Sequence, residues 1–214
     1  METIVFVALT ISTLATALGC VGRDTRETVL LLSIQASTIG FVELLYCLFD
    51  LIIGLHIEAL IDFFATFAEW FSCAVASPLI IYWGMVKTEN NTDQPVIGTR
   101  NAAILLAIMT LFYWILGTWI LSPLPPKFEA VPFSAFMFSM SVFLMSTRKD
   151  ALKILAGLNM AENALYPLIA EIPLGLIPFM LVLMVFVNVV GVFIIMEAYR
   201  EYRTLKITKW KCIG

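Results

Sequence analysis

Charge is what this chain has least of. Only 14% of its 214 residues are Asp, Glu, Lys or Arg, while 61% are hydrophobic and the mean hydropathy is +0.95. Soluble domains carry about 25% charged residues, so this balance excludes an ordinary water-soluble globule and points to a polytopic membrane protein. The formal net charge of −3 argues against nucleic acid as a partner. Histidine occurs once, as His56, and the four cysteines, Cys20, Cys47, Cys73 and Cys212, form no CxxC pair. No ligand set for zinc, haem or an iron–sulfur cluster can be assembled from them. The chain is therefore expected to hold no metal and no redox cofactor, with any redox centre on another subunit. The cysteines read as small hydrophobes and His56 as an interfacial side chain. No Lys or Arg precedes Arg23, so the first apolar segment lacks the basic start of a signal peptide and reads as a retained transmembrane helix. Internal repeats and low-complexity tracts are also missing, which lowers the case for a stand-alone transporter built from inverted repeats.

What is present is a series of long apolar runs. A helix needs about 20 apolar residues to cross a bilayer, and lipid leaves separate spans no other way to satisfy the backbone. On that rule the sequence predicts an all-α integral membrane protein of about seven transmembrane helices, near 2–20, 28–53, 58–86, 101–121, 131–147, 150–170 and 174–198. Residues 1–100 form an N-terminal three-helix segment ending in the polar loop KTENNTDQPVIGTR, 101–200 a four-helix segment, and 201–214 a basic tail. Gly54-Leu55-His56 turns between the second and third runs, Ser122-Pro123-Leu124-Pro125-Pro126 stops the fourth, and Thr147-Arg148-Lys149-Asp150 makes a tight hairpin between the fifth and sixth. Pro167, Pro173 and Pro178 cluster around the next turn and are expected to break or kink the flanking helices.

The basic residues set the expected topology. With seven spans, Arg23, Arg26, Lys87, Arg100, Arg148, Lys149 and the cations of the tail fall on one side, with Lys153 one turn inside it. The other side holds only Lys127. The expectation is N-out, C-in, with Asn90-Asn91-Thr92 on the inner side and free of glycan. The tail reads as an interfacial anchor, with docking to a soluble subunit as the alternative.

The acids are the chemically informative residues. Gln35, Glu43 and Asp50 fall near one face of the second helix, and Glu58, Asp62 and Glu69 on one face of the third. At about 1.5 Å per residue, Glu43 lies ~16 Å and Glu69 ~20 Å from the turn joining these helices. Asp50, Glu58 and Asp62 are nearer the surface. Glu162 and Asn188 fall mid-way along the sixth and seventh helices. No cation sits at comparable depth, so some of these carboxyls are expected to be neutral at rest. Intramembrane acids are either functional or statically hydrogen-bonded, and both readings stay open. The candidate proton pathway is Glu162, Glu43 and Glu69, with Asn159, Asn163 and Asn188 orienting water or side chains.

The stretch FSMSVFLMSTRKDALKILAGLNMAENALYPL resembles the K subunit of respiratory complex I: a helix, a short basic hairpin, then a helix carrying Gly followed by an acid and Asn. The adjacent Glu162-Asn163 pair is more similar to the hydrogenase-4 component E family, whose members have about seven helices and a three-helix K-subunit-like module, here about 131–200. The first half matches more loosely, through Gln35-Ala36, His56 and Pro78. The resemblance implies a subunit of a membrane-bound hydrogenase or formate hydrogenlyase in a prokaryotic plasma membrane. Its partners would be antiporter-like membrane subunits, a quinone-site-like membrane subunit, and soluble nickel–iron and iron–sulfur subunits. It would contribute to H+ or Na+ translocation. Two positions depart from the family pattern: Val182 replaces an acid of the last helix, and Asn188 a second one. A purely structural bridging subunit, or a cation/proton antiporter component, is the alternative role.

Overall fold

A computed structural model describes residues 2–116, 130–169 and 177–210. The 122–126 stop, Lys127, Pro173, Lys211 and Cys212 lie outside the described residues, as do the side chains of Glu58, Asp62, Pro167 and Pro178. The described residues are mainly helical and include no β-strand. Its α-helices are α1 (Glu2–Val21), α2 (Thr25–Ile52), α3 (His56–Trp70), α4 (Ser77–Lys87), α5 (Thr99–Ile115), α6 (Ala130–Thr147), α7 (Ala151–Ile169) and α8 (Ile177–Tyr202). By length and composition, four helical stretches can cross a membrane: Thr3–Val21, Thr25–Ile52, Thr66–Lys87 and Leu181–Tyr202. Thr99–Tyr113 and Val131–Thr147 are apolar but shorter.

Local chemistry sets the ends. The Glu27 carboxylate accepts the backbone N–H groups of Arg23 (3.1 Å) and Asp24 (3.5 Å), capping the start of α2. At its far end Gly54 takes φ +92°, a conformation that favours glycine, and Leu55 N–H reaches back to the Asp50 carbonyl at 3.0 Å. The third apolar run is not one regular helix. Residues Phe71–Ala76 form a π-helical turn between α3 and α4, with Ser77 N–H bonded to the Ser72 carbonyl. The cause is Pro78, which has no N–H to give the carbonyl four residues back. That carbonyl, on Ala74, accepts instead from the Ser33 hydroxyl of α2 at 2.6 Å.

The helices pack as two hairpins, α1–α2 and α6–α7, with α2 and α7 facing each other at the centre. α4 and α8 close one flank, and α5 lies on α6 through a 2.6 Å Tyr113–Ser139 hydroxyl bond. Leu32, Ile81, Met137, Met140, Leu144 and Met160 are fully buried between them. Gly157 lets α6 and α7 touch, since a Cβ there would sit 2.9 Å from Met145 Cγ. Outward faces are apolar: on α8, Phe179, Val182, Phe186 and Phe193 are each 59–70% exposed. A surface of this kind is stable against lipid or apolar partners rather than water.

The turns after α1, α4 and α6, together with the segment after α8, gather at one end. Asp93 N–H bonds the Arg23 carbonyl (3.0 Å), Val96 N–H the Thr147 carbonyl (2.8 Å), and Ala151 N–H the Leu205 carbonyl (3.1 Å). The sequence grouped these same loops on one side. Over residues 203–210 the tail packs onto this end of the bundle. Leu205 is buried, Lys206 pairs with Asp150 in an isolated β-bridge, and Trp210 Nε1–H donates to the Thr204 carbonyl at 2.9 Å.

Candidate functional site

Polar side chains are buried at three levels along the bundle. The first is the gathered end. Arg148, in the α6–α7 turn, donates to the carbonyls of Cys20 (2.6 Å) and Gly22 (2.9 Å) at the C-terminus of α1, and to that of Asp93. A guanidinium there satisfies orphan carbonyls and complements the helix dipole. Lys153 donates to the carbonyls of Arg23 and, at 3.1 Å, of Asp93. The carboxylates accept in turn from the chain. Asp93 takes the N–H groups of Lys149 (2.9 Å) and Asp150 (3.2 Å), while Asp150 takes Lys153 N–H (2.9 Å) and the Thr25 hydroxyl (3.3 Å). Burial lowers the pKa of Arg148, opposed by the charges of Asp93 and Asp150, and burial raises that of Asp150. Sequence reading took Arg148 and Lys153 only as topology signals. Their burial at 3% and 0% exposure makes them part of the framework.

The second level is an amide pair. Asn159 of α7 and Asn188 of α8 exchange two hydrogen bonds of 2.7 Å. Asn188 also donates to Ser77 Oγ at 3.0 Å, and Asn159 to the Leu155 carbonyl at 2.9 Å. Both residues are 1% exposed. Nearby, the Gln35 amide donates to Thr16 Oγ1 (2.9 Å) and the Met160 carbonyl (3.2 Å), tying α1, α2 and α7. The expected role of Asn159 and Asn188 as orienters of water therefore changes. Their hydrogen bonds are taken up by each other and by Ser77, joining α4, α7 and α8.

The third level holds the acids. Glu69 at the end of α3 is 8% exposed, and Asn163 on α7 is 1% exposed. Both line a cavity of about 10 Å3 with Gly40, Trp70, Cys73 and Tyr166. The π-helical turn carries Cys73 into this cavity beside Tyr166, and the Cys73 thiol donates to Met184 Sδ at 3.6 Å. Glu43 and Glu162 are half-buried. All three acids lie within electrostatic reach of Cys73, and Glu43 also within reach of Glu69. Glu43 falls one turn from Gly40 on α2 and Glu162 lies beside Asn163 on α7, so both flank residues that line the cavity. Among the described residues the one ion pair is Arg200–Glu197 on the surface of α8 (2.6 Å), so no cation neutralises them. No group of three or more potential metal ligands occurs among the described residues. Cys73, Tyr166 and the π turn were not singled out by the sequence as site features. Pro78 carried the signal for the last of these, through the carbonyl it leaves unbonded.

No protein-family model, curated protein or solved structure matches the chain. The site must therefore be read from its own geometry. Val182, where the resembled family carries an acid, is 70% exposed on the outer face of α8. An acid there would face outward, so its replacement by valine does not interrupt the buried polar groups. His56 is exposed, and Cys20, Cys47 and Cys73 are buried, with the Cys47 thiol donating to the Ala59 carbonyl at 2.9 Å.

Proposed function

We propose that this chain is a membrane subunit of a complex-I-like energy-converting oxidoreductase, a membrane-bound hydrogenase or formate hydrogenlyase, and that it contributes to H+ or Na+ translocation driven by electron transfer on partner subunits. The partners would be antiporter-like and quinone-site-like membrane subunits and soluble nickel–iron and iron–sulfur subunits. The chain would cross a prokaryotic plasma membrane seven times, N-out and C-in. The gathering of the basic loops at one end supports that topology. The observation that carries the functional reading is the buried cavity lined by Glu69 and Asn163, flanked by Glu43 on α2 and Glu162 on α7, with no ion pair to these acids among the described residues. Intramembrane acids in a polar pocket mark ion paths.

Glu162→Gln keeps the size and hydrogen-bonding capacity of the side chain and removes its titration. The expected result is an assembled complex with reduced coupled ion movement, read as a smaller pH or Na+ gradient in vesicles at equal electron flux. Undiminished pumping by a correctly assembled Glu162→Gln complex sinks the reading. Mass spectrometry of the complex released in mild detergent tests the class, through copurifying hydrogenase and antiporter-like subunits. The broad apolar face of α8 favours a second reading, in which the chain bridges antiporter-like subunits and its acids are static. That reading predicts no change in pumping from any of the three Glu→Gln substitutions.

A further inference from the structure

The cavity between α2, α3 and α7 contains a polar group whose needs the protein does not meet. Asn163 is 1% exposed, and neither its Nδ2 nor its Oδ1 has a hydrogen-bond partner. Among the buried amides of the described residues it is the one with both atoms unpaired. A buried amide left without bonds is destabilising by about 1–3 kcal/mol per group. The same cavity exposes the Glu69 carboxyl and the Tyr166 side chain, and its volume is about 10 Å3. That is room for one water, which needs two to four polar partners.

We propose that Asn163 and Glu69 bind a single ordered water in this cavity, linking the carboxyl at the end of α3 to the amide on α7. The chemistry selects water over a cation. Asn163 presents a donor and an acceptor side by side, and water answers both. A cation would engage only Oδ1 and face the Nδ2 hydrogens. Gly40 helps shape the chamber, because a Cβ there would meet Trp70 Cδ1 at 2.7 Å and push that lining ring aside. The titratable groups around the site are Glu69, Cys73 and Tyr166, with Glu43 and Glu162 beyond them. The water gives Glu69 of α3 a hydrogen-bonded link to α7, the helix that carries Glu162. The site does not depend on which complex the chain belongs to.

The test is a density map of the full chain in its membrane assembly, at a resolution that shows other buried waters. The expected result is one peak at hydrogen-bonding distance from Asn163 Nδ2, Asn163 Oδ1 and Glu69. An empty cavity overturns the proposal, and so does a peak at metal–oxygen distances that avoids Nδ2. Asn163→Leu, close in shape and without polar atoms, should lose the peak. In infrared spectra the Glu69 carboxyl band, assigned by its disappearance in Glu69→Gln, should shift to higher frequency in Asn163→Leu. An unmoved band counts against the site. The wild-type map decides the matter even if Asn163→Leu does not fold. An occupied cavity with unimpaired pumping in Glu162→Gln would reject the translocation reading and keep the water site; a dry cavity with impaired pumping would do the reverse.

Discussion

The gathered end of the bundle and its mid-section both bury polar side chains, and they treat them in opposite ways. At the end, Arg148 and Lys153 are surrounded by carbonyls, and Asp93 and Asp150 by N–H and hydroxyl donors. Two cations and two carboxylates sit together without a direct ion pair between them. At the cavity, Asn163 has no bonds and the acids no counter-charge. The difference separates architecture from chemistry. A group whose hydrogen bonds are taken up by the backbone is held in place, whereas one left with open valences in a water-sized space is available to a ligand or a proton.

This contrast can be broken by substitution. Arg148→Met strips the donors from three backbone carbonyls and leaves Asp93 and Asp150 with less positive charge nearby. The loss should be the largest of the series, about 3–5 kcal/mol, seen as failure to accumulate or a steep fall in the melting temperature in detergent. A loss below about 1 kcal/mol would erase the distinction between the two regions. Asn188→Leu should cost less, about 1–2 kcal/mol, with ion translocation unaltered. The double change Asn159→Leu with Asn188→Leu should be milder than the sum of the single changes, because it removes both members of the pair. Glu69→Gln reverses the pattern. Its thermal stability should stay within about 1 kcal/mol of the parent while coupled translocation falls; a large stability loss would move Glu69 into the framework class. His56→Ala, at an exposed turn, should change stability by less than about 0.5 kcal/mol and leave gradient formation untouched.

Much of the architecture was legible because lipid is a severe solvent. Apolar runs of span length and the basic loops between them follow from that constraint alone, and α1, α2 and α8 begin and end within a few residues of the expected limits. The similar depth of Glu43 and Glu69 was also within reach, since comparable distances from a tight turn place residues of two antiparallel helices at one level. What could not be read was partnership. Asn159 and Asn163 are four residues apart on one helix, yet the first meets Asn188 and the second a cavity. That choice depends on how α8 and the π turn are seated, which no spacing rule supplies. Lys153 was equally opaque. Its burial depends on two carbonyls, of Arg23 and Asp93, that are remote in sequence.

The segment after α8 gives the order of synthesis a structural meaning. Ala151 N–H and Ile207 N–H bond the carbonyls of Leu205 and Lys149, respectively, so the turn that holds Asp150, already bonded by Thr25 and Asp93, gains its last two backbone bonds from residues made after the eighth helix. Until those residues arrive, the Ala151 N–H and the Lys149 carbonyl have no such bonds at the point where α6 passes into α7. Residues made after the eighth helix thus close a joint between two helices made before it, and a chain that stalls short of residue 205 leaves that joint unclosed.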